Sequence, residues 1–325
     1  MNEKPTHDRM GRRYRDTPVS TGKRITPLDT DILWFQKLHE HGPLPSSFLL
    51  EYTARSRKSN KRATERLTDL FNEEDTRHGG RYLDRPPQQF RTIDSRYNQL
   101  VYDLAPAGKK ALKQAGGLIG KTTRPSGPWV HRLMVSCVTA SIELATFGQS
   151  NISFIPQYKI LNRAKASPRY PITITEPSSK TSVTKDLIPD AIFGLEYHTP
   201  KGSKFRFFCV ECDRSTEPTT TTNFNRKSWL RSLLQYREYI GNGHYRKHLK
   251  LTAPMLVLNV ITDERRLEKM IAVTEKETGE SGNTYLLFQY LEDFGPVFRP
   301  PSPIQSLLLE PWQRALNNPF LIHEP

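Results

Sequence analysis

Acidic residues stand at the ends of two apolar segments in the middle of the chain. Asp190 opens one segment, and Glu211 and Asp213 close the next. Because side chains alternate between the two faces of a strand, Glu211 and Asp213 project to the same side. If the strand that begins at Asp190 lies alongside, three carboxylates meet at one surface, and such oxygens suit a hard divalent cation. The spacing therefore predicts a site for Mg²⁺ or Mn²⁺.

A simpler interpretation of the same residues needs no metal. Arg206 and Arg214 flank the acidic pair in the sequence. Acids at a strand end often pair with such neighbours on the surface, where an ion pair contributes little to stability. The residue pattern alone is compatible with both interpretations.

The stretch resembles the PD-(D/E)xK nuclease superfamily, in which an Asp on one core strand and an acid-x-Lys triplet on the next surround Mg²⁺. The Pro-Asp pair ending at Asp190, followed by Glu211, matches this pattern, whereas Asp213 stands where the superfamily has Lys. The resemblance implies catalytic roles for Asp190, Glu211 and Asp213. It also implies either that Lys227 in the next predicted helix replaces the missing Lys or that the nuclease is degenerate.

The resemblance extends over residues 129–290 and implies further site residues. Glu143, on the first predicted helix of this region, corresponds to an acid that many members use as an additional metal or water ligand. The alternative is a lone charge at the exposed edge of that helix. Arg231, one turn after Lys227, is a second candidate for the missing cation, and His131 is a candidate to face the cleft.

Composition limits the class of protein and its partners. The 325 residues carry a formal charge of +14, and the isoelectric point is near 9.7. Such a balance predicts an acidic partner, most commonly nucleic acid. No segment approaches the roughly 18 uninterrupted apolar residues of a membrane helix, and the polar N-terminus does not read as a secretion signal. With three scattered cysteines, the chain is expected to be cytoplasmic and not membrane-bound.

The sequence pattern of the N-terminal part predicts three short helices, then two strands around a polar loop, and then a closing helix. This order resembles the winged helix-turn-helix, whose third helix enters the major groove of duplex DNA. A protein-binding winged helix is the alternative. The basic residues predicted to bind DNA lie before and on the third helix and in the wing: Arg55, Arg57, Lys58, Lys61, Arg62, Arg66, Arg85 and Arg91.

The predicted fold class is α+β, with a winged helix-turn-helix followed by an α/β restriction-endonuclease-like domain around a central mixed sheet. Within the second domain we expect a strand at 152–161, an irregular basic excursion at 163–185 and a helix at 224–240. The predicted boundaries are a basic disordered arm at 1–24, the winged helix at 25–115, a linker at 116–128, the nuclease-like domain at 129–295 and a Pro-rich tail at 296–325.

Most of residues 26–240 resembles the replication-relaxation family of plasmid and mobile-element proteins. The resemblance is carried by the run PDAIF and by VECDRSTEP, in which residues 211–217 match an acid-x-Asp-Arg-x-Thr-Glu motif. It implies an association with plasmid replication, mobilisation or DNA relaxation.

Three functions follow as hypotheses. The first is a Mg²⁺- or Mn²⁺-dependent endonuclease that nicks double-stranded DNA. The second is a catalytically inactive DNA-binding or regulatory protein that keeps the nuclease fold as a scaffold or as a surface for homodimer formation. The third is an adaptor that recruits a relaxase or replication initiator through Leu308 and Trp312, although these residues are equally expected to fold back on the core.

Overall fold

The structure is a computed structural model that describes residues 11, 14–91, 93–117, 127–175, 180–221, 223–294 and 299–325. The chain divides into two compact units. Unit 1 comprises residues 1–119 and 298–303, and unit 2 comprises residues 120–297 and 304–325. The predicted linker at 116–128 lies largely outside the described residues. Among the helices that are described, none is both long enough and apolar enough to cross a membrane.

Unit 1 combines short helices with a small antiparallel sheet. Its elements are α1 (Asp29–His41), β1 (Leu44–Pro45), α2 (Ser46–Tyr52), α3 (Asn60–Asn72), β2 (Leu83–Asp84), β3 (Val101–Leu104) and α4 (Pro106–Gln114). The described strands pair in the order β1-β3-β2. The apolar face of α3, with Leu67 and Leu70, is fully buried, whereas Lys61 and Arg62 on its other face are exposed.

The N-terminal segment was expected to be disordered, and for its described residues from 14 onward this is wrong. The Arg15 guanidinium donates hydrogen bonds to the carbonyls of Ser95, Arg96 and Asn98. The buried Glu73 carboxylate accepts bonds from the Ser20 hydroxyl and from the Thr21 amide. These contacts satisfy polar groups of unit 1, so the segment is part of its structure.

Unit 2 is built around a mixed sheet. Its elements are α5 (Trp129–Thr146), β4 (Ile152–Ile155), α6 (Gln157–Ala164), β5 (Tyr170–Thr175), β6 (Ser182–Leu187), β7 (Ala191–Thr199), β8 (Gly202–Asp213), α7 (Trp229–Tyr236), α8 (His244–Leu249), β9 (Met255–Ile261), α9 (Glu264–Thr278), β10 (Leu286–Tyr290), α10 (Ser306–Leu309), β11 (Trp312–Arg314) and β12 (Asn317–Phe320). The described strands form a seven-stranded sheet, β12-β11-β10-β9-β8-β7-β4, and the separate hairpin β5-β6. The predicted α+β class with a large mixed sheet is confirmed.

Two predictions for residues 152–185 are wrong. The strand β4 stops at Ile155, and Pro156 is the N-cap of α6, so residues 157–161 are helical. The excursion at 163–185 contains the ordered strands β5 and β6, paired over six residue positions. Ile172 and Ile174 alternate with exposed threonines and bury one face of this hairpin in the core.

The C-terminal segment folds onto unit 2. Leu307, Leu308 and Trp312 are fully or almost fully buried, and the Trp312 indole donates to the Leu307 carbonyl. Strands β11 and β12 extend the mixed sheet beyond β10. Of the two predicted alternatives, folding back is confirmed, and Leu308 and Trp312 are not exposed for docking a partner.

Strand β8 positions the acidic residues. Residues 207–210 are buried on both faces, as expected for a strand between two neighbours. It pairs antiparallel with β7 and parallel with β9. In this register Ala191 faces Val210, which sets Asp190 beside Glu211 at the end of the ladder. Polar side chains therefore appear where the buried part of β8 ends.

Candidate functional site

A cavity of about 290 Å³ lies at the C-terminal end of β8 within unit 2. Its polar lining includes Asp190, Glu211, Glu217, Lys227 and His131. The sequence prediction that Asp190 and Glu211 meet at one end of the sheet agrees with this geometry. Titratable groups of both signs that share one cleft are typical of functional sites.

Asp190 is held in place by three hydrogen bonds. Its amide donates to the Val210 carbonyl at 3.0 Å, and its Oδ2 accepts the Cys212 amide at 2.9 Å. Its Oδ1 lies 3.0 Å from Nε2 of His131, which stands in the first turn of α5. Burial works to lower the pKa of His131, but its hydrogen bond with Asp190 and the Asp190 charge raise that pKa above its usual value. Asp190 is thus fixed beside β8 with a protonatable partner.

Glu211 is a half-buried carboxyl group with an unusual proton affinity. Burial, together with the neighbouring Asp190 charge, raises the pKa of Glu211 to about 7, although Lys227 and Tyr236 work against the shift. The Tyr236 hydroxyl donates to Glu211 Oε1 at 2.5 Å. A carboxyl with such a pKa exchanges its proton near neutral pH, and a bound cation would favour its ionised form.

Lys227 was predicted to lie in the helix after β8, and this is wrong. Helix α7 starts at Trp229 with Ser228 as its N-cap, so Lys227 lies in the loop just before it. Its Nζ is 3.4 Å from Glu217 Oε1, and Glu211 is the largest cause of a raised Lys227 pKa. A lysine therefore faces Glu211, but from the loop and not from the missing triplet position.

Arg231, the second candidate for this cation, does not line the cavity. Its guanidinium donates to the carbonyls of Phe224 and Asn225, and burial lowers its pKa. Arg231 therefore contacts the loop that carries Lys227.

Asp213 points to the same side of β8 as Glu211 but already has a cationic partner. Its Oδ2 lies 2.7 Å and 3.1 Å from two nitrogens of Arg266 on α9, and its Oδ1 accepts the Ser215 amide. The predicted pairing of the acids with Arg206 or Arg214 is not what holds Asp213. Arg266 is 8% exposed, and sequence analysis did not identify it, because an arginine on an amphipathic helix ordinarily faces solvent.

Asn259 was missed and contributes a buried amide oxygen. It lies opposite Glu211 in the parallel pair of β8 and β9, and it lines the cavity. Its Nδ2 donates to the Leu287 carbonyl, whereas its Oδ1, in a residue 1% exposed, has no hydrogen-bond partner among the described residues. Buried polar atoms normally have a partner, and among the described residues this oxygen is one of the exceptions. A single Asn in the apolar run of β9 was the signal.

Glu143, predicted as a metal ligand, is buried on α5 and does not line this cavity. Within the described residues, Asp190, Glu211 and Asp213 do not supply three ligand atoms that all lie within 4.8 Å of one another. Asp190, Glu211 and Asn259 all line this cavity, and Glu143 does not.

The basic residues predicted to bind DNA fall into two groups in unit 1. Exposed side chains belong to Arg55, Lys58, Lys61, Arg62 and Arg91. The half-buried ones bond within unit 1: Arg57 donates to the Leu50 carbonyl, Arg66 pairs with the buried Asp31 at 2.6 Å, and Arg85 donates to Thr68 and Tyr102 and stacks on Phe71.

The family model described as Replication-relaxation matches residues 35–253, which is 219 of the 325 residues. Neither a curated protein nor a solved structure is significantly similar to the chain. The matched region includes α3 of unit 1 and the cavity residues Asp190, Glu211 and Lys227 of unit 2. The predicted resemblance to this family is confirmed, and the chain belongs to the replication-relaxation family.

Proposed function

We propose that the protein is a divalent-metal-dependent DNA endonuclease that nicks DNA during replication or mobilisation of plasmids or mobile elements. Membership of the replication-relaxation family supports the biological setting. The observation that carries the chemical part is the cavity at the end of β8, where Asp190, Glu211 and Asn259 present oxygens and Lys227 faces Glu211.

Unit 1 is proposed to bind double-stranded DNA as a winged helix. The order α1-β1-α2-α3-β2-β3 and the antiparallel pairing of its strands support this assignment. Helix α3 would enter the major groove, with the exposed Lys58, Lys61 and Arg62 near its N-terminus. Each cation that meets a phosphate releases counterions, which gives duplex affinity that depends on salt.

Unit 2 is proposed to carry a PD-(D/E)xK-like core. Helix α5 precedes β4, β7 and β8, and α7 then separates β8 from the parallel β9, which is the order expected from the resemblance. Helix α6 and the hairpin β5-β6, which lie between β4 and β7, and helix α8, which lies between α7 and β9, are insertions within that order. Lys227, in the loop before α7, replaces the lysine that is missing from the acid-x-Lys triplet.

Asp190, Glu211 and Asn259 would hold Mg²⁺ or Mn²⁺, hard cations that prefer oxygen ligands. When bound, the cation supplies Lewis-acid stabilisation of the phosphate and an activated water. Two carboxylates that share a cavity repel each other, which is one reason why the pKa of Glu211 is high. Asp190 and Glu211 would hold the cation in their ionised forms, which the positive charge of the ion would favour.

The other cavity residues act on charge and position. The Lys227 ammonium stabilises negative charge on the attacked phosphate. His131 orients Asp190 through its 3.0 Å hydrogen bond, and Tyr236 orients Glu211. The Arg266 ion pair occupies Asp213, so we assign Asp213 no direct role with the substrate.

A second candidate is a DNA-binding protein that retains the nuclease-like fold without cleaving. One observation favours it: Asp213 stands at the lysine position of the triplet and is neutralised by Arg266. The two candidates differ in whether the cavity acids are needed for strand breakage or only for folding.

The experiment that separates them is nicking of supercoiled plasmid in Mg²⁺ or Mn²⁺. The endonuclease proposal expects Asp190→Ala and Glu211→Ala to abolish nicking while duplex binding in a gel-shift assay persists. Duplex binding without nicking by the unaltered protein supports the second candidate.

A further inference from the structure

A second cavity of unit 2 lies near the other end of β8. Its volume is about 250 Å³, and its lining includes Ile155, Ile160, Phe205 and Phe207 together with the cations Lys159 and Arg163. Phe205 and Glu211 are six positions apart and project to the same face of β8, which separates their Cα atoms by about 20 Å. This cavity is therefore distinct from the one that holds Asp190 and Glu211.

The floor of the second cavity is aromatic. The Phe207 side chain is buried, and the Phe205 side chain is 40% exposed although it is a large hydrophobic residue. Gly194 lies opposite Phe207 in β7. A Cβ at this position would lie 2.8 Å from the Phe207 ring and would clash with it, so the position requires glycine while the ring stays where it is. The Phe205 ring does not stack on any other described aromatic ring. A planar ligand therefore has room to stack on one face of the Phe205 ring.

The rim of this cavity is positively charged. Lys159 and Arg163 are four residues apart on α6 and so lie on the same helix face, both exposed. Arg246 of α8 donates to the carbonyl of Thr252, another lining residue, and adds a third cation near the rim. Among the described residues no acid lines the cavity, and the acid opposite Phe205, Glu196, lies 3.8 Å from His198.

We propose that this cavity binds a nucleotide of a single-stranded nucleic acid, with its base stacked on Phe205 and its phosphates held by Lys159 and Arg163. Bases in a duplex are already stacked and paired, so an unpaired strand is needed to present one base to an aromatic side chain. An acidic peptide would satisfy the cations but would leave the aromatic floor unused. The net charge of +14 favours a polyanion. The proposal does not depend on DNA cleavage by the first cavity.

The test uses the full chain in EDTA and measures fluorescence anisotropy of labelled 12-mer oligo(dT) and of an abasic strand of equal length. Phe205→Ala should weaken oligo(dT) binding about 5- to 100-fold and leave abasic binding unchanged. Phe205→Trp should retain the affinity, and its fluorescence should be quenched by the stacked base. Tyr290→Ala removes a similarly exposed aromatic from β10 and should have no effect.

The cations have their own test. Lys159→Gln combined with Arg163→Gln should weaken both strands and lower the slope of log affinity against log salt by about 1.4. Lys269→Gln combined with Lys276→Gln removes the same charge from exposed sites on α9 and should change neither strand's slope by as much.

Three results would overturn the proposal. In the first, Phe205→Ala binds oligo(dT) as tightly as the unaltered chain. In the second, Phe205→Ala loses affinity for oligo(dT) and for the abasic strand equally. Either result means that Phe205 does not recognise a base. Displacement of oligo(dT) by a poly-glutamate peptide, with the same dependence on Phe205, would assign the cavity to an acidic peptide. Because metal is absent, none of these outcomes depends on whether the protein is a nuclease.

Discussion

The Tyr236 hydroxyl donates a hydrogen bond to Glu211 Oε1 across 2.5 Å, from a side chain that is itself fully buried. This bond favours the ionised form of Glu211 and so lowers a pKa that burial and Asp190 raise. The pair therefore links the proton affinity of the proposed ligand to a residue on α7.

Tyr236→Phe removes the donor without removing the ring. The pKa of Glu211 then rises, and since the proposed site needs ionised Glu211, nicking should appear at a pH about one unit higher. The measurement is the pH profile of plasmid nicking at one fixed, subsaturating Mg²⁺ concentration, where Glu211 can still take up its proton. Tyr197→Phe, which removes another buried hydroxyl in unit 2, should leave the profile in place. A profile for Tyr236→Phe that is unchanged, or shifted to lower pH, contradicts this account.

Asn259→Ala tests the unpartnered amide oxygen beside Glu211. Loss of one oxygen ligand should raise the Mg²⁺ concentration for half-maximal nicking about tenfold, with duplex binding unchanged. The check is a metal titration of nicking. Gln289→Ala is the matched control, because Gln289 on β10 also has a buried unpartnered side-chain oxygen but does not line the cavity. An equal metal requirement for Asn259→Ala and the unaltered protein would remove Asn259 from the site.

Lys227→Met tests the cation that faces Glu211. Charge stabilisation at the attacked phosphate is lost, so the nicking rate should fall about 100-fold in single-turnover assays. Arg231→Met is the comparison, because the Arg231 guanidinium bonds to loop carbonyls outside the cavity. This substitution should lower the melting temperature and leave the nicking rate of the folded protein largely unchanged. If Arg231→Met abolished nicking and Lys227→Met did not, the assignment would be reversed.

Arg62 and Arg66 lie on the same helix but should respond differently to substitution. Arg62→Gln removes an exposed cation and should lower the salt slope of duplex binding by about 0.9 without loss of stability. Arg66→Gln leaves the buried Asp31 carboxylate unpaired and should reduce the free energy of unfolding by about 3 kcal/mol. Gel shifts at several salt concentrations and urea unfolding measure the two effects. A destabilised Arg62→Gln with unaltered DNA binding would contradict the winged-helix proposal.

Local patterns predicted part of this architecture well. The alternation along residues 207–213 predicted that Glu211 and Asp213 share a face. The N-cap of α9 is Asp263, a residue type that is common at this position. Strand β9 was recognisable as a short, continuously apolar run. These features depend on neighbours in the sequence, which is why they could be recognised.

Other features depend on contacts between distant segments. The Arg266 pair with Asp213 spans 53 residues, and no periodicity indicates it. The hairpin β5-β6 was hidden by Pro171 and by surrounding basic residues, although Ile172 and Ile174 show the alternation of a strand. Lys227 was misplaced because a helix that begins at Trp229 and one that begins five residues earlier have similar apolar patterns.

The most direct test of the central claim compares plasmid nicking by the unaltered protein, by Asp190→Asn, by Glu211→Gln and by Glu268→Gln, an exposed α9 carboxylate that serves as the control. All four are assayed with Mn²⁺ or with EDTA, after gel shifts have shown equal duplex binding. The account predicts Mn²⁺-dependent open-circular product for the unaltered protein and Glu268→Gln, and none for the two cavity variants. Equal nicking by all four proteins, or nicking that persists in EDTA, would contradict it.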